Sequence, residues 1–262
     1  MTDAYTRLGR NGAVLTFAFN RPDKYNAFTR PMLAALRDAF ETFANDGDLR
    51  VLLIRSTGRY FSSGMDVTAL GAGPADEGPS GFRRRYRESA WHRLYDEFEA
   101  IEKPIVVAHQ GPCLGAALEM SLSCDFRLAS DTAHYALPEL NMGMIPGSGG
   151  TSRLVRMIGG HWARYMIMAN RSIGAEQART VGLVHEVYPA AEFDRLVEEF
   201  CLSLAKQPPE ALAAAKLAIE LAVDLDRTQA RNVERLANSS LFDREEQTRV
   251  FAALRARFSK SD

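Results

Sequence analysis

Pro104-Ile-Val-Val-Ala-His-Gln-Gly-Pro-Cys-Leu-Gly-Ala-Ala-Leu-Glu119 changes structural period within a few residues. Its first part, 104–108, is an apolar run that reads as a β-strand. Glycine and proline then interrupt it, and a helix is expected after Gly115. If that helix starts at Gly115, Ala116 lies in its first turn. The N–H there has no intrahelical acceptor and is free to donate to an anion. Glu119 follows one turn later on the same face. A carboxylate close to an oxyanion donor suits a reaction in which an enolate forms while a proton moves. Taken alone, the segment reads more readily as a helix start whose acidic residue is stabilised by the dipole.

The same alternation extends outward. Residues 14–19 are an expected strand, entered through the Asn11-Gly12 turn signal. Residues 31–45 are an expected helix, with Thr29 or Arg30 near its start and Gly47 beyond its end. A strand is expected at 50–55, a Gly/Pro-rich loop at 71–81, a long helix at 82–102 and a strand at 126–129. Strands alternating with helices indicate an α/β fold of crossover units, with ligands gathering where loops leave strands. From about residue 192 the pattern becomes helical: 192–205, 209–224 and 228–258, the first two separated by Pro208-Pro209. The expected division is an α/β core over 1–191 and a helical region over 192–262. The apolar faces of that region need a covering surface, either the core or another subunit.

Composition narrows the function classes. With 32 Lys plus Arg against 33 Asp plus Glu, the formal net charge of −1 gives no whole-chain attraction to nucleic acid or anionic membranes. A hydrophobic content of 46% supports a substantial core and excludes a disordered chain. The opening MTDAYTRLGR has no apolar run, so no secretory signal is expected, and no stretch approaches the length of a membrane span. Cys113, Cys124 and Cys201 lack metal-ligand spacing and read as buried thiols of a reducing cytoplasm.

Four glycine-containing or turn-forming segments hold the candidate chemistry. They are Asn20-Arg-Pro-Asp-Lys-Tyr-Asn-Ala27, Tyr60-Phe-Ser-Ser-Gly-Met-Asp-Val67, the 110–119 stretch, and Leu137-Pro-Glu-Leu-Asn-Met-Gly-Met-Ile-Pro-Gly-Ser-Gly-Gly-Thr151. A nucleotide phosphate loop is excluded for the last, because the run from Gly147 to Arg153 lacks the required lysine. His92, His109, His134, His161 and His185 form no metal pair and read as structural. Arg83, Arg84 and Arg85 read as a solvated helix face. Phe82, Tyr86, Trp91 and Tyr95 form a helical stripe that suits core more readily than a pocket.

Together and in this order, the four segments resemble the crotonase superfamily, the enoyl-CoA hydratase/isomerase family, over nearly the whole chain. Phe61-Ser-Ser-Gly-Met-Asp66 resembles the first oxyanion segment, which makes the Met65 N–H one donor. Gly115-Ala-Ala-Leu-Glu119 resembles the second, which makes the Ala116 N–H the other. The resemblance implies a spiral of ββα units with a helical C-terminal trimerisation region, giving a homotrimer or a dimer of trimers. It implies an acyl-CoA thioester substrate and no separate cofactor or metal, coenzyme A being part of the substrate. It implies that Glu119 activates water and Glu139 supplies a proton to C2, an enoyl-CoA hydratase. Substrate contacts are expected at Lys24, Ala27, Ser63, Gly64, Asp66, Val67 and Gly115, with Lys24 near the nucleotide end. The alternatives are an enoyl-CoA isomerase, another crotonase-type acyl-CoA enzyme, or a non-catalytic RNA-binding homologue. The paired glutamates and the net charge of −1 oppose the last. Three features depart from the pattern: Ala116 where glycine is common, Gln247 in place of the glycine of D-x-x-E-G, and the acyl-side loop at 71–81, which matches no family segment and leaves the acyl group undefined.

Overall fold

The computed structural model describes residues 5–68, 91–242 and 244–258. The expected 71–81 loop, the start of the expected 82–102 helix, and Phe82, Arg83, Arg84, Arg85 and Tyr86 lie outside the described residues.

Two sheets organise the chain. The larger has the order β1-β2-β3-β4-β6-β9, built from Thr6–Asn11, Val14–Phe19, Val51–Ser56, Ile105–His109, Phe126–Ser130 and Glu186–Tyr188. The smaller has the order β5-β7-β8, built from Cys113–Leu114, His134–Ala136 and Ile173–Gly174. β1 and β2 form an antiparallel hairpin in which Gly12 takes the positive φ of 58° at the turn. From β2 onward every pairing in the larger sheet is parallel.

Parallel strands need helical crossovers, which cover the sheet on both faces. The side chains divide accordingly. Phe17, Leu52, Ile54, Ile105 and Val107 join the main core. Val14, Val51, Leu53, Val106 and Ala108 face the other way, against Phe193, Val197 and Cys201 of a late helix. That two-sided burial is why these strands are apolar without interruption.

The helices are α1 (Arg30–Asn45), α2 (Trp91–Ala100), α3 (Ala116–Ser121), α4 (Gly150–Ile167), α5 (Ala175–Thr180), α6 (Phe193–Leu204), α7 (Pro209–Ala222), α8 (Arg227–Ser239) and α9 (Glu245–Phe258). Thr29 caps α1, its side chain accepting from the Met32 N–H. The chain winds as a spiral: β4, β5 and α3 form one turn, and β6, β7 and α4 the next. An earlier turn runs from β3 through Ser62, which bridges in parallel to Cys113, and on to α2. Each turn thus passes from the larger sheet to the smaller and then into a helix.

The expected single helix over 228–258 is two helices, α8 and α9. At the break, the Leu241 and Phe242 N–H groups bond back only three residues, to Asn238 and Ser239. The Ser240 hydroxyl donates to the Ala237 carbonyl, a side-chain competition that ends helices. α6 packs on the larger sheet, so within 192–262 the open apolar faces begin at α7. Among the described residues no helix is long and apolar enough to cross a membrane.

Candidate active site

The spiral brings the second and third segments side by side. The Ser62 N–H donates to the Pro112 carbonyl at 3.1 Å, and the Leu114 N–H donates to the Ser62 carbonyl at 3.0 Å. Gly64 has a φ of 92°, and a Cβ there would stand 2.9 Å from the Leu114 carbonyl oxygen. The contact requires glycine on both counts. Past this junction, Met65 and Ala116 line the same cavity of about 390 Å³. Neither the Met65 N–H nor the Ala116 N–H donates to another described residue. Ala116 is the first residue of α3, preceded by Gly115 at a φ of 55°. Its N–H is therefore free by helix geometry rather than by accident.

The first segment serves this junction from below. Asn26 is fully buried at a φ of 52°. Its amide donates to the Thr57 and Tyr60 carbonyls at 2.7 and 2.8 Å, and its backbone carbonyl accepts from the Ser62 hydroxyl at 2.8 Å. Asp66 is tied by the Thr68 hydroxyl and by Arg21 at 2.7 Å, which hold its carboxyl down at about 2. These groups fix the loop.

Glu119 and Glu139 both line the cavity and are 4% and 6% exposed. Their surroundings differ. Glu119 Oε2 accepts from the Ser148 N–H at 2.6 Å and the Gly150 N–H at 3.2 Å. Burial pushes its pKa up, while these two N–H groups and the Arg153 charge act against that push. Glu139 lies in a short 3-10 turn, Pro138–Met142. Its Oε2 has no hydrogen-bond partner among the described residues. Burial, reinforced by the nearby Glu119 charge, pushes Glu139 up to about 7, although its own backbone N–H opposes the shift. One carboxylate is held by fixed donors, and the other is poised to carry a proton near neutral pH. Burial raises both carboxyl groups, so what distinguishes them is their partners: fixed N–H donors for Glu119 and an unpartnered oxygen for Glu139.

Residues 9–256 match the family model described as enoyl-CoA hydratase/isomerase. The chain belongs to the enoyl-CoA hydratase/isomerase family. It is 33% identical over 230 residues to the 2,3-dehydroadipyl-CoA hydratase of Escherichia coli, covering 86% of this chain and 87% of that protein. It is 34% identical over 213 residues to the carnitinyl-CoA dehydratase of Escherichia coli, covering 80% and 77%. Among solved structures, an enoyl-CoA hydratase/isomerase from Cupriavidus metallidurans superposes with a TM-score of 0.89 at 26% identity, covering 98% of this chain and 95% of that one.

In this hydratase/isomerase-family chain, the remaining expected site residues separate into two groups. Ser63, Gly64, Val67 and Gly115 line the cavity with Met65, Ala116 and both glutamates. Lys24, Ala27 and Asp66 do not line it. Lys24 is exposed on the neighbouring turn, and Ala27 donates its N–H to the Lys24 carbonyl at 2.9 Å. Among the five histidines, His92 lines the cavity, while His109 is buried between Tyr135 and Ser121. Trp91 also lines the cavity, whereas Tyr95 of the same stripe is core. Sequence reasoning missed the Ser148 and Gly150 donors to Glu119. Their signal was present in the glycines at 147, 149 and 150, which let the chain approach the carboxylate. A Cβ on Gly150 would lie 2.7 Å from Glu119 Oε2.

Proposed function

We propose that this protein adds water across the 2,3 double bond of an enoyl-CoA thioester. The observation that carries the reading is one cavity holding two buried glutamates in unlike environments beside two undonated backbone N–H groups. The thioester carbonyl accepts from the Met65 and Ala116 N–H groups. Charge that develops on the oxygen as the enolate forms is met by donors already in place. Glu119 holds a water and takes its proton as the oxygen attacks C3. Glu139 then delivers its proton to C2, and exchange with solvent restores both carboxyl groups. The reading asks for no metal, flavin or nicotinamide, since coenzyme A arrives with the substrate. Contacts to coenzyme A are assigned to backbone groups around Ala27, Met65 and Val67, with Lys24 toward the nucleotide end. The names of the two relatives, a hydratase and a dehydratase, both describe gain or loss of water on a CoA thioester.

The test is the fall in enoyl-thioester absorbance with crotonyl-CoA and with longer or aryl 2-enoyl-CoAs, beside the matching 3-enoyl-CoAs. Turnover of 3-enoyl-CoA without turnover of any 2-enoyl-CoA overturns hydration in favour of isomerisation.

The acid role of Glu139 sets a pH dependence. Its carboxyl must be protonated to act, and that form is lost as pH rises through about 7. kcat/KM should therefore fall about tenfold per pH unit above that point. A profile flat to pH 9 would exclude Glu139 as the acid.

The assembly proposed is a homotrimer or a dimer of trimers. α7 and α8 bury no side chain fully, and Ile219, Val223, Leu236 and Phe242 are 68%, 60%, 73% and 56% exposed. Apolar surface of this kind marks an interface. Light scattering should give a mass that is a multiple of three of the 29.0 kDa chain. A monomeric mass at micromolar concentration rejects the assembly.

A further inference from the structure

Arg153 stands on α4 behind the loop that holds Glu119. It does not line the catalytic cavity. It faces instead a separate cavity of about 510 Å³, bordered by parts of α2, α4 and α7. Its guanidinium is nevertheless fixed with unusual completeness. Nε and Nη2 donate to the two carboxylate oxygens of Glu99, both at 2.6 Å, and Nη2 also donates to Asp96 at 2.7 Å. Nη1 donates to the Ser148 carbonyl at 3.2 Å. The same guanidinium lies over Gly149, where a Cβ would come within 1.8 Å of Nη1. Ser148 and Gly150, on either side of Gly149, give Glu119 its two N–H donors.

We propose that Arg153 is the positioning residue for Glu119: anchored to α2 through Glu99 and Asp96, it clamps the 148–150 turn so that its N–H groups aim at the carboxylate. The inference rests on the reading of Glu119 as the group that holds water. The guanidinium acts in two ways. It holds the donors in place, and its charge favours the ionised carboxylate. Other titratable groups surround this region. His92 of α2 and Glu139 of the 3-10 turn line the catalytic cavity with Glu119, Tyr95 of α2 is buried core, and Arg156 borders the separate cavity that Arg153 faces. Of these, Glu139 is itself pushed up by burial and by the Glu119 charge, and Tyr95 is held neutral by burial. Arg153 is the cation whose charge favours ionised Glu119.

Arg153→Met removes both the clamp and the charge. Its kcat for 2-enoyl-CoA hydration should fall about 10- to 100-fold with KM nearly unchanged, the scale of a reacting group displaced by about an ångström. The ionised form of Glu119 also becomes harder to reach, so the acidic limb of the pH profile should move to higher pH. Arg153→Lys keeps a cation but cannot span Glu99, Asp96 and the Ser148 carbonyl together. It should move the limb to higher pH less than Arg153→Met does, and lose part of kcat. A residue that only ties α4 to α2 would lower the melting temperature of these variants and leave the limb in place.

Two further measurements separate this inference from the functional reading. If Arg153 acts through Glu119, adding Arg153→Met to Glu119→Gln should cost almost nothing more, whereas independent effects would multiply. Amide hydrogen exchange over 146–151 needs no substrate, and it should quicken at Ser148 and Gly150 in either arginine variant. Unchanged exchange together with wild-type kcat in Arg153→Lys overturns the clamp, even if Arg153→Met does not fold. A crippled Glu119→Gln beside an unaffected arginine variant sinks the clamp alone. An active Glu119→Gln removes the functional reading, and exchange then still decides whether the turn is clamped.

Discussion

Folded Ala116→Pro protein is expected to hydrate 2-enoyl-CoA about 10²- to 10³-fold more slowly than wild type, the usual cost of one lost oxyanion donor. The substitution is aimed at a single atom. Ala116 occupies the first position of α3, where a helix does not use the N–H and where proline is well tolerated. The helix should therefore survive while the donor disappears, and the ring occupies the space into which the N–H pointed. Ala116→Gly and Met65→Ala are the controls, because each keeps its backbone N–H. Glycine at the helix start costs at most roughly 0.5–1 kcal/mol of stability, and both controls should stay within a few-fold of wild-type activity. Circular dichroism confirms folding, and initial rates with crotonyl-CoA give the comparison. Normal turnover by folded Ala116→Pro would falsify the oxyanion assignment.

Much of the fold could be read from the chain because the parallel strands are buried on both faces. The runs at 51–54 and 105–108 have no polar interruption, and Gly58 and Gly111 lie a few residues past their ends. β1 lacked that signal. Five of its six residues are exposed, so it pairs as an edge strand without an apolar pattern to announce it. The 228–258 stretch kept its helical period across the break between α8 and α9. At that break the Ser240 hydroxyl competes with backbone donors for a carbonyl, which apolar periodicity does not report.

The site divides along a similar line. Ala116 and Glu119 are local to one turn of one helix, so their relation follows from helix geometry alone. Their relation to Met65 depends on the pairing of Ser62 with Cys113, a contact between segments far apart in the chain. Resemblance supplied that link where spacing had none to give. The tether on Glu119 escaped for another reason. Its donors are backbone N–H groups, so no side chain at 148–150 identifies them. Arg153 likewise looks like an ordinary surface cation until Glu99 and Asp96 are seen around it.

Glu119→Gln tests the base directly, and its kcat for hydration should fall at least about 10²-fold, the lower end of general acid–base contributions. The near-isosteric change matters here. A Cβ on Gly150 would come within 2.7 Å of the Glu119 Cγ, which shows how little room the side chain has. Glutamine fits that space and keeps a carbonyl oxygen for the Ser148 and Gly150 donors, but it has no basic oxygen for water. KM should move far less than kcat, because the lost interaction belongs mainly to the transition state. Glu139→Gln should damage hydration comparably. It should also abolish any movement of a double bond between C3 and C2, which one proton-shuttling carboxylate could otherwise perform. Initial rates of both variants on a 2-enoyl-CoA and a 3-enoyl-CoA separate these roles. If Glu119→Gln hydrates near the wild-type rate, Glu119 is a helix-start carboxylate that merely anchors the 148–150 turn. Water activation would then have to be sought elsewhere in the cavity.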